Sequence, residues 1–439
     1  MSAIPGDIDA SGGPPMTIPL RHFVVALAFL VAGIAVGAVG TRAGTVARVH
    51  LLLAGWVCLT IMGAMTQFVP VWSGVPLHSR RLASAQLPLA AVGFAGLATA
   101  FLLGADRMLP LAGATALAGV WLFVYNIGRT LAAVTAYDVT ETHFAVALGW
   151  FLLVTLAGLV LASHRAVGTL PIAGVTYGAL RDAHATLAVF GAVLTTVYGA
   201  LYQLGTMFTQ SELTALDRRL KRYELLAYPP GVALLALGRL LTVPWVATAG
   251  GALVATGTFS LGVVLARRLV GATTDWTPML TRYSVVSVSL LSWAPLALVA
   301  WTRAPLAGAH RFGADGTALL LLGGGIGFVV LGTLYHVVPF IIWVHCYSDR
   351  LGFEDVPLID DLYDGRVAAA DGLCFLAAGA SGLLAGLAVG PEGVGLAAGV
   401  LAGTGAVLFA GNLLGVVAKH SDRSIGALIM GVSRPRDDV

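Results

Sequence analysis

The sequence predicts an all-α polytopic membrane protein: twelve transmembrane helices in three pseudo-symmetric four-helix units. Composition, twelve apolar runs of membrane length and a short motif that recurs three times carry that expectation. The chain has 439 residues, 58% of them hydrophobic and 11% charged, with a mean hydropathy of +0.88. A soluble domain carries about 25% charged residues, so this chain has too few to cover itself in water. Formal charge is only +3, and no basic run interleaves with aromatic residues, which excludes nucleic acid as a partner. Cys58, Cys346 and Cys374 are far apart with no CxxC pair. That excludes a zinc or dinuclear copper site built on paired thiolates, and each cysteine reads as filling a helix surface.

A bilayer crossing needs about 20 apolar residues. Such runs fall at 22–40, 47–72, 82–103, 108–136, 143–163, 184–209, 225–242, 245–266, 281–300, 316–346, 367–389 and 393–418. The second, sixth and tenth exceed a minimal span, so tilt or protrusion is expected. The first is long for a leader core and follows Asp7 and Asp9, so it reads as a retained helix. Residues 1–21 and 419–439 are then cytoplasmic tails around a membrane domain at 22–418. No soluble domain interrupts it. The longest hydrophilic stretches, 210–224 and 347–366, read as solvated inner loops.

Lys and Arg in the loops set the orientation. One side holds sixteen, including Arg80, Arg81, Arg218, Arg219, Arg267, Arg268, Arg282, Lys419, Arg434 and Arg436. The other holds eight: Arg42, Arg48, Arg107, Arg165, Arg181, Arg239, Arg303 and Arg311. Both termini are therefore expected inside a plasma membrane, in contact with lipid, and every even-numbered helix runs inward.

Three segments resemble one another: Met62-Gly-Ala-Met-Thr-Gln-Phe-Val-Pro70, Tyr198-Gly-Ala-Leu-Tyr-Gln-Leu-Gly-Thr206 and Leu331-Gly-Thr-Leu-Tyr-His-Val-Val-Pro339. Gly63, Gly199 and Gly332 lie 136 and 133 residues apart in the second, sixth and tenth runs. The repeat unit is thus four helices, at about 22–136, 143–266 and 281–418. The glycine lets backbones approach closely, and the polar residue four positions on (Gln67, Gln203 or His336) is placed to hydrogen-bond within the bundle.

Histidine is the commonest protein ligand for transition metals and haem iron, and polar residues at membrane depth are functional candidates. His78, His164 and His310 fall in loops. His22, His143, His345 and His420 gather at inner depth. His50 and His184 open the second and sixth helices at their outer ends and are candidate metal or cofactor ligands. His336 is a further metal candidate. It lies 17 positions deeper than the level of His50, about 26 Å at 1.5 Å per residue, so His50 and His336 cannot share one group.

Three four-helix arcs with an outer-end histidine on helices 2 and 6 resemble subunit I of the haem–copper oxidase and nitric-oxide reductase superfamily. The phrase Gly327-Phe-Val-Val-Leu-Gly-Thr-Leu-Tyr-His-Val-Val-Pro339 is similar to helix 10 of the cbb3-type branch. His50 with Gly55-Trp56, Gly63 and Val69-Pro-Val-Trp-Ser-Gly74 resembles NnrS, a haem- and copper-associated family linked to the nitric oxide response. The resemblance implies that His50 ligates a low-spin b-type haem and that His184 ligates copper. It also implies a redox partner subunit or a small copper or haem electron carrier. The chain departs from the superfamily in two places. Tyr228-Pro229-Pro230 stands where helix 7 needs paired histidines, and Thr317-Ala-Leu-Leu-Leu-Leu322 where helix 10 needs His-x-His. Copper in such a site wants about three imidazoles, so a standard oxygen-reducing centre is not expected. His164 and His310 are the candidate helpers for His184. Within helix 4, Arg129 reaches a haem propionate, pairs with Asp138, or snorkels to the inner face, the last being the simplest reading. Two function classes remain: a haem protein in electron transfer or nitrogen-oxide metabolism, and a non-redox transporter or assembly factor on the same scaffold.

Overall fold

The computed structural model describes residues 14–37, 41–169 and 174–431. Its helices, in chain order, are α1 (Thr17–Val36), α2 (Ala43–Ser73), α3 (Arg80–Leu103), α4 (Leu109–Leu131), α5 (Val139–Val167), α6 (Tyr177–Thr209), α7 (Ala215–Leu240), α8 (Pro244–Val270), α9 (Pro278–Arg303), α10 (Leu320–Cys346), α11 (Gly365–Gly386), α12 (Val394–His420) and α13 (Ile425–Met430). No strand occurs among the described residues. Eleven helices, all but α7 and α13, are long and apolar enough to cross a membrane. The chain is an all-helical protein of polytopic membrane type. The basic residues Arg434 and Arg436 lie outside the described residues.

Several helices start earlier than their apolar runs, because a hydroxyl or carboxylate caps each start and satisfies free backbone N–H groups. Thr41 accepts from the Gly44 N–H at 3.0 Å, and Thr176 accepts from the Ala179 N–H at 3.2 Å. His50 and His184 therefore lie about two turns inside their helices, not at the first residue as the sequence suggested. Thr214 and Asp217 form a reciprocal cap on α7, so Glu224, expected in a solvated loop, is helical and fully buried. α1 begins at Thr17, and the expected C-terminal tail instead supplies α13, which packs beside α1. Arg239, Arg268 and Arg282, counted above as loop cations, are each only 3% exposed. Leaving them out preserves the two-to-one charge bias.

Packing partners recur at a spacing of four helices. α1 packs on α2, α5 on α6 and α9 on α10; α3 packs on α4, α7 on α8 and α11 on α12. Between these sets α4 meets α5, α8 meets α9, and α12 returns to α1. α6 and α10 are the most enclosed, with 78% and 83% of their apolar windows buried, against 17% for α11. Each of α2, α6 and α10 contains a π-helical stretch, at His50–Cys58, Leu187–Leu194 and Leu320–Gly327.

The repeated glycines mark one contact made three times. A Cβ on Gly63 would lie 2.6 Å from His22 Cβ and 3.1 Å from Phe23 Cε1. The same atom on Gly199 would lie 2.8 Å from His143 Cβ and 3.2 Å from Phe144 Cε1. On Gly332 it would lie 3.1 Å from Arg282 Cβ and 3.2 Å from Tyr283 Cε1.

Beside each glycine, three helices are clamped by hydrogen bonds. His22 Nδ1 is 2.8 Å from the Ile18 carbonyl, and its Nε2 is 3.1 Å from the Gln86 amide nitrogen on α3. That amide also donates to Thr66 on α2 at 3.3 Å. His143 Nδ1 is 2.7 Å from the Val139 carbonyl, its Nε2 is 3.1 Å from Glu224 Oε1 on α7, and Tyr202 on α6 donates to Glu224 Oε2 at 3.1 Å. Arg282 donates to the Pro278 carbonyl at 2.9 Å and to Asp371 on α11, and Tyr335 on α10 donates to the same carboxylate. The hydroxyls stand three residues after the glycine. The residues four after it, Gln67, Gln203 and His336, were expected to bond, yet their side chains make no hydrogen bond among the described residues. A step of three or four along a helix differs by about 100° in direction, enough to turn the side chain from one neighbour to another.

Gly63→Val and Gly199→Val are expected to lower the thermal midpoint of detergent-solubilised protein through overpacking, which costs about 1–3 kcal/mol. Gly403, with nothing within 4 Å of a new Cβ, should accept valine without loss. Equal behaviour of all three variants would show that close approach does not hold these helix pairs.

Candidate functional site

His50 and His184 are each anchored through one ring nitrogen. α2 places His50 with Nδ1 2.9 Å from the Val46 carbonyl one turn back and its ring 5.1 Å from Phe101 of α3. His184 reaches from α6 to α5, where its Nδ1 is 3.0 Å from the Val154 carbonyl. Gly158 leaves the space: a Cβ there would lie 3.0 Å from His184 Cε1. The two imidazoles are close enough for their charges to interact.

A carbonyl oxygen can only accept, so the proton of each neutral ring sits on Nδ1 and the lone pair on Nε2. Neither Nε2 has a hydrogen-bond partner among the described residues. An imidazole with Nδ1–H held by a carbonyl and Nε2 bare is the form in which histidine ligates a metal or haem iron. The residues present fit such a group. They supply two ligands: no cluster of three or more His, Cys, Asp or Glu suited to a metal ion occurs among the described residues.

The other predicted residues have contacts of their own. His336 lies between Phe208, 4.3 Å away by ring centroid, and Phe340, 5.6 Å away. Arg129 is on an exposed face of α4, and Asp138, its suggested partner, caps α5 through the Thr140 and Glu141 N–H groups. His164 packs on Tyr177. His310 Nδ1 is 3.1 Å from the Ala304 carbonyl. The histidines expected at inner depth are dispersed: His22 and His143 are in separate clamps, His345 Nδ1 is 2.9 Å from the Ile341 carbonyl, and His420 meets the Tyr347 hydroxyl at 2.9 Å. Tyr228, where the superfamily pattern needs histidine, donates to the Phe190 carbonyl at 2.8 Å.

Sequence reasoning missed Arg239, which ties a loop over the His184 end of α6. Its guanidinium donates to Thr186 at 2.7 Å and to the carbonyls of Arg311 at 3.0 Å, His310 at 3.2 Å and Pro305 at 3.4 Å. The indoles of Trp301 and Trp293 donate to the His310 and Phe312 carbonyls at 2.6 and 2.7 Å. Arg311 pairs with Asp182 at 2.7 Å, two residues before His184. In sequence, Arg239 looks like any basic residue at a helix end; nothing there shows the loop carbonyls that need a donor.

No protein-family model matches the chain, and no curated protein matches it.

Arg239→Met is expected to strip these carbonyls of their donor and to destabilise the solubilised protein by roughly 3 kcal/mol, given the cost of unpaired buried polar groups. Thermal denaturation checks this, and an unchanged midpoint would mean that other contacts hold the loop.

Proposed function

We propose that the chain is a divergent haem–copper-oxidase-like membrane protein that binds a b-type haem at His50 and holds copper at His184. Its role would be electron transfer or nitrogen-oxide metabolism, fed by a partner subunit or a small copper or haem electron carrier. In this reading twelve helices, α1 to α12, span the plasma membrane in three four-helix units with both termini inside. The four-helix recurrence of packing and the two-to-one charge bias support that arrangement. The observation that carries the functional reading is the pair of Nε2 atoms left bare by anchored Nδ1–H groups.

A haem bound there supplies one-electron chemistry. The protein's part is positional. The Val46 and Val154 carbonyls fix each imidazole's tautomer and direction, and Arg239 tethers a loop over the α6 side. With His50 on the haem, His184 alone falls short of the three imidazoles that a copper centre for oxygen reduction wants. The same shortfall favours a second reading, a non-redox assembly factor on this scaffold, because two ligands hold a metal loosely enough to pass it on.

Purified protein is expected to show a Soret band with iron in metal analysis, and His50→Ala should abolish or shift the low-spin spectrum. A wild-type spectrum without a Soret band supports the assembly-factor reading, and an unchanged spectrum in His50→Ala shows that the ligand lies elsewhere. Oxygen consumption with an artificial reductant should not rise appreciably above autoxidation. Rapid turnover that vanishes in His184→Ala would contradict this proposal.

A further inference from the structure

The three clamps share their geometry but not their proton content. In the first, His22 Nδ1–H donates to Ile18, and the bare Nε2 accepts from the Gln86 amide. Every hydrogen is accounted for with no charge present. In the third, Arg282 meets Asp371, and a guanidinium does not give up its proton, so that ion pair is fixed.

The second clamp differs from both. His143 Nδ1 must carry a proton, since at 2.7 Å it faces a carbonyl oxygen. Nε2 then faces Glu224 Oε1 at 3.1 Å, with both side chains fully buried. A lone pair against a carboxylate is repulsive, so one further proton must sit between them, on nitrogen or on oxygen. Both holders are titratable. Tyr202 donates to the other carboxylate oxygen at 3.1 Å. The groups facing this pair from neighbouring elements are Asp138 at the start of α5, Tyr198 and Tyr202 on α6, and Tyr228 on α7. None of them is cationic, and Arg268, the cation beside Tyr202, is paired with the buried Asp217 at 3.2 Å, so it does not substitute for the proton. A cavity of about 10 Å³, about the size of one water, lies beside Tyr202; its walls are mostly leucine and valine, with Tyr202, Thr206 and Arg268 as its polar lining. Arg268 continues from it to the carbonyls of Ser211 and Glu212 in the loop before α7.

We propose that His143, Glu224 and Tyr202 form a proton-binding site inside the helix bundle, the exchangeable member of three otherwise equivalent clamps. The bound proton is shared between His143 Nε2 and Glu224 Oε1 and comes from water on the side of the 210–214 loop. Its loss leaves an uncompensated buried carboxylate and loosens α5 from α7, so packing at this clamp is linked to pH. The site does not depend on haem or copper at His50 and His184.

The neighbouring clamps supply the control variants. Glu224→Gln gives the second clamp the His–amide scheme of the first, and His143→Arg gives it the Arg–carboxylate scheme of the third. The experiment is pH-difference infrared spectroscopy of the solubilised full chain, with thermal midpoints, between about pH 5 and pH 9, the range over which histidine ordinarily titrates. Wild type is expected to show a carboxyl band that changes with pH and a midpoint that falls as the proton leaves at the alkaline end. The band change should disappear in Glu224→Gln, and both variants should give flatter midpoints. Should one variant fail to fold, the other carries the same comparison, and if both fail, wild type with uniformly ¹³C-labelled glutamate decides it. A carboxyl region insensitive to pH in wild type, or an identical pH response in either folded variant, would overturn the proposal.

Discussion

Everything else in this molecule depends on how closely α2, α6 and α10 approach α1, α5 and α9. A glycine at 63, 199 and 332 removes the atom that would keep the backbones apart. Once they are in contact, a side chain from the first helix of each set reaches past the second to meet a partner on the third. In a bundle surrounded by lipid, apolar burial gives little drive for association, and close packing with interhelical hydrogen bonds takes its place. The glycine contacts supply the first and the clamps supply the second, within a few residues of each other.

That constraint also fixes where chemistry can occur. The clamps consume His22 and His143, so neither is free as a ligand. In the N-terminal halves of α2 and α6 no such partner is present. His50 and His184 anchor only one nitrogen each. The π-helical stretches lie in the same halves of α2, α6 and α10; π-bulges are frequent at functional sites. The clamps thus lie near the glycines, and in the proposed function the ligand roles fall to His50 and His184 in the other halves of α2 and α6.

Much of this was legible in the sequence and some was not, for identifiable reasons. Apolar runs placed the long helices, because membrane-length hydrophobicity is a property of composition along the chain. The glycine motif pointed to the repeated contact, because a missing side chain is visible in sequence. Helix starts were misplaced at Thr41, Thr176 and Thr214, where a single capping oxygen extends the helix through polar residues that break the apolar pattern. Glu224 was hidden for that reason, standing at the end of a run of charges that looked like loop. Gln67, Gln203 and His336 drew attention over Thr66, Tyr202 and Tyr335 because polarity is easy to read and direction about a helix axis is not. The anchoring of His184 was not legible at all: it depends on a ring crossing from α6 to a carbonyl of α5.

X-ray absorption at the iron and copper edges of the protein as purified tests the central claim most directly, that His50 and His184 present bare Nε2 atoms to one metal-binding region. The account predicts an imidazole scattering contribution that weakens when either histidine is replaced by alanine. A metal signal indifferent to both replacements, or neither metal above background, would contradict it.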